Sequence, residues 1–173
     1  MYSRNVLFSF FCTAVFVSGC NRKSADSRVI HREGEPDVIN VDSEDAEMND
    51  AIAQARQTTD TFLQILTDAK PNQTDFSVKR PYPTKTCGTG KEHIWISHLS
   101  YDGRFLHGTV GDEPVNISNL KSGKPVSFPP NELSDWMYLE DGKIVGGYTI
   151  RVLRKHMPSK EAADFDRHFQ FKQ

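Results

Sequence analysis

The sequence predicts an α+β fold in which a long N-terminal amphipathic helix packs on a curved, mostly antiparallel sheet. Three observations carry that expectation. Apolar residues from Met48 to Leu66 recur every three or four positions, the period of one buried helix face. From Asp75 onward the period falls to two, which is the alternation of a half-buried strand. Strand-like runs then outnumber helical ones, separated by turn residues such as Asp102-Gly103 and Asp141-Gly142.

The chain opens with a different composition. Arg4 is the one basic residue before Val6–Val17, a run that is almost wholly apolar. The run is shorter than the roughly 20 residues a spanning helix needs, but it has the size and flanks of a signal-peptide core. Val17-Ser18-Gly19-Cys20 follows and resembles the lipobox of bacterial lipoproteins: a branched apolar residue, two small residues, then cysteine. The resemblance implies cleavage before Cys20, whose thiol takes a diacylglycerol, so that acyl chains such as palmitate tie the protein to membrane lipid. Each buried CH₂ contributes about 0.8 kcal/mol, and two or three chains anchor far more firmly than one. Cys12 lies inside the discarded segment. Asn21, where Asp often signals inner-membrane retention, favours the periplasmic face of the outer membrane in an organism with two membranes.

The expected plan is a signal peptide at residues 1–19, a lipidated N-terminus and tether at 20–36, an α+β domain at 37–157, and a short helix or tail at 158–173. Loss of the leader removes only Arg4 from the cations, taking the formal charge from −2 to −3. There is no basic stripe, which argues against a nucleic-acid partner. Besides Cys20, the mature chain holds only Cys87, so a disulfide-stapled scaffold is excluded.

Within the domain, Val38–Val41 reads as a short edge strand. Ser43 or Asp45 suits a helix N-cap, and Glu44, Asp45 and Glu47 suit its positive end. Met48, Ile52, Ala55, Thr59, Phe62 and Leu66 form the buried stripe of one helix ending near Asp68, before Pro71. Phe76 and Val78 begin a strand that Pro81 and Pro83 close or make irregular. His93–Leu99 and Arg104–Val110 read as a hairpin, and Val126–Phe128 lies between a Gly123 turn and Pro129-Pro130. Trp136–Leu139, Lys143–Val145 and Tyr148–Leu153 read as three further strands. Residues 159–169 suit a terminal helix with Phe165 and Phe169 on one side.

Several residues are candidates for function. Asp135-Trp136-Met137-Tyr138 needs an explanation, because aspartate is rarely buried unpaired and Trp and Tyr want partners for their polar atoms. One account is structural, with Asp135 capping a turn and Trp136 filling the core. The other is a recognition groove lined by Trp95, Trp136 and Tyr148, with Asp135 or Arg151 as polar anchor. Arg151 equally suits an ion pair with Asp135. His93 and Cys87 are weaker candidates, chosen on residue type. No HExxH, CxxC or paired-histidine spacing points to a metal, and no nucleophile elbow surrounds Ser134. No cofactor motif is present.

Taken together, the blocks Glu47–Ile52 with Ala55-Arg56 and Phe62, Glu92-His93-Ile94-Trp95, Leu120–Gly123 with Val126, Ser134–Tyr138 and Gly146–Arg151 resemble the bacterial domain of unknown function family numbered 2314. The resemblance spans roughly residues 44–157. It implies no transferable activity; related small domains are similar to immunity proteins of bacterial toxin systems. The expected function is therefore a non-catalytic, lipid-anchored envelope protein that binds a protein or peptide. The alternative is a binder of small molecules or cell-wall fragments, and a hydrolase ranks third.

Overall fold

The structure, a computed structural model, describes residues 15–16, 29–32, 35–41, 46–84 and 90–173. Its strands are β1 (Val15–Phe16), β2 (Val29–Arg32), β3 (Glu35–Val41), β4 (Gln73–Pro83), β5 (Lys91–Tyr101), β6 (Leu106–Val110), β7 (Pro125–Phe128), β8 (Asp135–Glu140) and β9 (Lys143–Gly146). Its helices are α1 (Ala46–Gln57), α2 (Thr59–Thr67), α3 (Tyr148–His156) and α4 (Ser159–His168). The class is α+β. Strands β4 to β9 make one open antiparallel sheet in the order β7-β6-β5-β4-β8-β9. β1 pairs with Lys91 and Glu92 at the start of β5, with β3 and β2 beyond it. β2 and the first residues of β3 fall within the stretch read above as a tether.

The register sorts side chains onto two faces. Ile96, Val78 and Trp136 lie side by side across β5, β4 and β8, as do Trp95, Lys79 and Asp135 in the adjacent row. Successive residues of a strand point oppositely, so the two rows face opposite sides of the sheet. The first face packs on α1 and α2 through Ala55, Phe62, Leu63, Val78, Ile96 and Trp136. The second packs on α3 and α4 through Trp95, Met137, Leu139, Ile144, Ile150 and Phe165.

The apolar stripe predicted for one helix runs through two. Met48, Ala51 and Ala55 are buried on α1, and Thr59, Phe62 and Leu63 on α2. The division falls at Thr58, where two side chains, one local and one from β8, enter the backbone ladder. Trp136 Nε1 donates to Ala55 O (3.0 Å), and Thr58 Oγ1 donates to Gln54 O (2.9 Å). A side chain inserted into a helix ladder in this way interrupts the helix.

Tyr148–Leu153, expected as a strand, lies in helix α3. Its β-branched and aromatic residues favour extended structure locally, but Gly146 (φ 75°) and Gly147 (φ 62°) turn the chain through left-handed conformations. Gly146 is required twice over, because a Cβ there would meet Trp136 O at 2.4 Å. Val115-Asn116-Ile117 belongs to a loop between β6 and β7.

Candidate functional site

The Lys79 row of the sheet builds a polar node in the interior. Asp135 is wholly buried at the start of β8. Its Oδ1 accepts from Trp136 N (2.8 Å) and Tyr148 N (3.1 Å). Its Oδ2 accepts from Thr149 N (2.8 Å) and from the Thr149 hydroxyl. Tyr148 and Thr149 open α3, so a carboxylate from a distant strand caps that helix at its positive end. Lys79 Nζ donates to Thr149 Oγ1 (2.7 Å) and lies 4.7 Å from the centroid of the Trp95 ring. The threonine hydroxyl thus accepts from the cation and donates to the anion. Burial pushes the Asp135 carboxyl above its ordinary range, while Lys79, the Thr149 hydroxyl and amide, and the Trp136 amide pull against that push.

A second pair adjoins the first. His93 Nδ1 lies 2.7 Å from Ser134 Oγ, and Ser134 donates to Lys79 O through both its hydroxyl (3.2 Å) and its amide (2.7 Å). The Ser134 hydroxyl is thus shared between the His93 ring and a backbone carbonyl. Burial, with Lys79, Lys91 and Arg56 nearby, lowers the His93 imidazole to about 3 and keeps it neutral.

The five residues expected to line one groove do not do so. Trp95 and Asp135 sit on the α3/α4 face, whereas Trp136 and Tyr148 belong to the cluster on the other face. Trp136 is 4% exposed, stacks on Phe62 (centroids 5.1 Å) and meets Tyr148 edge-on (5.6 Å). Its Nε1 hydrogen bonds to Ala55 O and Thr58 Oγ1, and the Tyr148 hydroxyl lies 3.1 Å from the same Thr58 oxygen. Arg151 donates to Gly146 O (3.1 Å) and stacks over Phe171 (4.2 Å). Asp135 caps helix α3 rather than a turn, and Trp136 packs in the core. Cys20 and Cys87 lie outside the described residues. Among the described residues, no group of three or more His, Cys, Asp or Glu side chains is placed to hold a metal ion, and no helix is long and apolar enough to cross a membrane.

Residue-type reasoning passed over a loop. Residues 111–124 leave and rejoin the sheet at one place, since Val110 N donates to Lys124 O (3.0 Å) and Gly123 N to Val110 O (2.8 Å). The Glu92 carboxylate, fully buried, accepts from Val115 N (2.6 Å) and Asn116 N (2.8 Å). Ile117 and Leu120 anchor the loop against Ile94 and Val110. The loop lines a cleft of about 440 Å³, formed by Glu113, Pro114, Val115, Ile117, Leu120 and Lys121. Among the described residues, Val115, 40% exposed, is the one large apolar side chain turned to solvent. A buried glutamate at the end of a β-strand was the available signal, but its partners are backbone amides 23 and 24 residues away.

Fold and node together define a small α+β domain whose buried polar residues fix one helix to one sheet. The chain belongs to the family DUF2314, described as an uncharacterized protein conserved in bacteria, whose model matches residues 45–172. It is 34% identical over 115 residues to the uncharacterized protein YegJ of Escherichia coli K12, covering 66% of this chain and 72% of that one. It is 30% identical over 138 residues to a Neisseria meningitidis serogroup B protein named for ankyrin repeats, covering 77% of this chain and 54% of that one. No solved structure matches the chain.

Proposed function

We propose that the protein is a non-catalytic, lipid-anchored envelope domain, tethered through Cys20, that binds a protein or peptide partner on the outer surface of the 111–124 loop. The observation that carries this reading is the Glu92 clamp. A fully buried carboxylate is committed to two backbone amides of the loop that presents Val115. Holding a loop in one conformation removes ordering entropy from binding, which is the use of preorganisation. The polar groups with a catalytic look, His93, Ser134, Thr149 and Asp135, are engaged with one another in the interior. A partner that is a toxin neutralised at the envelope is the narrow form of this reading. The second reading, a small-molecule or cell-wall-fragment binder, rests on the cleft volume of about 440 Å³, which lies in the range of small-ligand sites.

A photo-crosslinking amino acid placed at Val115 of the lipidated full chain in living bacteria tests the proposal. The expected result is one dominant protein adduct at Val115, absent when the crosslinker sits at Lys160 of α4 and reduced in a Cys20→Ala chain. The same adducts at both positions, or none at Val115 while free crosslinker chemistry is efficient, would contradict it. Competition of the adduct by added peptidoglycan fragments would favour the second reading.

A further inference from the structure

Two of the carboxylates at the 111–124 loop are treated differently. Glu92 has both oxygens bonded to loop amides. Asp112, second in the loop, has Oδ2 buried with no hydrogen-bond partner. A carboxylate with bonded oxygens is comfortable when charged, whereas a desolvated oxygen without a donor is costly in that form. Among the charged groups around Asp112, Lys79 favours the ionised carboxylate but is outweighed by burial. Lys79 of β4 is the cation that acts on it, and its ammonium is bonded to Thr149 beside Asp135 of β8. On β5, Trp95 O holds the neighbouring Gly111 amide (2.8 Å), Glu92 is taken by Val115 and Asn116, and His93 is turned to Ser134. Within the loop, Glu113 accepts from Ser122 N (2.9 Å), and Lys121 is exposed.

We infer that Asp112 is a proton-operated latch: its protonated form keeps the 111–124 loop closed on the sheet, and its ionised form lets the loop lift. Burial raises the Asp112 carboxyl from 3.8 to about 7, against the pull of Lys79. The sign follows from linkage. The closed loop binds a proton that the open loop releases, so closure is favoured as pH falls and weakened as pH rises through the window from 3.8 to about 7. The latch concerns the loop itself and stands whether or not a partner docks there.

The test is a carbon NMR titration of the full chain in detergent micelles, joined to amide hydrogen exchange between pH 5 and pH 8. The Asp112 carboxyl is expected to titrate near neutrality. Protection of the Val115 and Asn116 amides, corrected for intrinsic exchange, is expected to fall as pH rises, by at most about tenfold per pH unit for one linked proton. In Asp112→Asn the protection stays flat with pH. A carboxyl midpoint near 4, protection independent of pH in the native chain, or an unchanged slope in the variant would each overturn the latch. The native titration decides the question by itself if the variant does not fold.

Discussion

The two faces of the sheet are built on opposite principles, although adjacent residues of one strand supply both. On the α1/α2 side, Trp136 joins Phe62, Phe76 and Tyr138 in a stacked aromatic row, and its one polar atom is satisfied by the interrupted helix above it. On the α3/α4 side, Asp135, Lys79 and Thr149 form a hydrogen-bonded chain inside a shell of Trp95, Met137 and Ile150. The aromatic face gains stability from apolar area removed from water. The polar face gains little net stability from its charges, because desolvation offsets their attraction. What it specifies is position: the Asp135 carboxylate fixes where α3 begins. The comparison teaches that residues suggestive of chemistry can serve to place one element of a fold.

The largest expected effect comes from emptying the polar face. Asp135→Ala removes the buried anion that Thr149 links to Lys79 and uncaps α3, and a loss of about 3–5 kcal/mol is expected in urea unfolding, the range for breaking one partner of a buried pair. Trp136→Ala empties the other face and falls in a similar range, about 3–5 kcal/mol, from lost burial and the cavity left behind. The two variants are expected to differ in kind. Asp135→Ala loosens exchange protection in α3 selectively, whereas Trp136→Ala loosens α1 and α2 as well. Thr149→Val removes the bridging hydroxyl and is expected to cost about 1–3 kcal/mol, with recovery in Thr149→Ser. No recovery in the serine variant would show that the methyl group, rather than the hydroxyl, matters there.

A smaller effect sharpens the comparison through pH. The His93 imidazole lies at about 3 against an ordinary 6.5, so the unfolded chain takes up a proton first. Stability is therefore lost as pH falls from 6.5 toward 3. Asp112 acts with the opposite sign over an overlapping window, losing stability as pH rises from 3.8 to about 7. In His93→Asn the melting temperature falls with rising pH, and in Asp112→Asn it falls with decreasing pH.

How far the sequence reached depended on how local the cause was. The stripe from Met48 to Phe62 was legible because helix periodicity is written in nearby residues, and the β5–β6 and β8–β9 hairpins because their turns carry Asp-Gly. The division at Thr58 was not, since it depends on Trp136 arriving from 78 residues away. The Tyr148–Leu153 segment looked extended because its side chains favour strands, while the capping carboxylate that makes it helical comes from Asp135. That Asp135 and Trp136 needed partners was readable; that alternation would send them to opposite faces was readable too, once both lay in one strand. Lys79 gave no signal, as a lysine in a strand is ordinarily at the surface.

The central claim, that Lys79 and Asp135 act as one structural unit through Thr149, is tested most directly by a double-mutant cycle. Urea unfolding of Lys79→Met, Asp135→Asn and the double variant would be measured at pH 7. The account predicts that the double variant loses less than the sum of the singles, by about 1 kcal/mol or more, because neither charge is left stranded. Losses that add within about 0.5 kcal/mol would show two independent residues and contradict it.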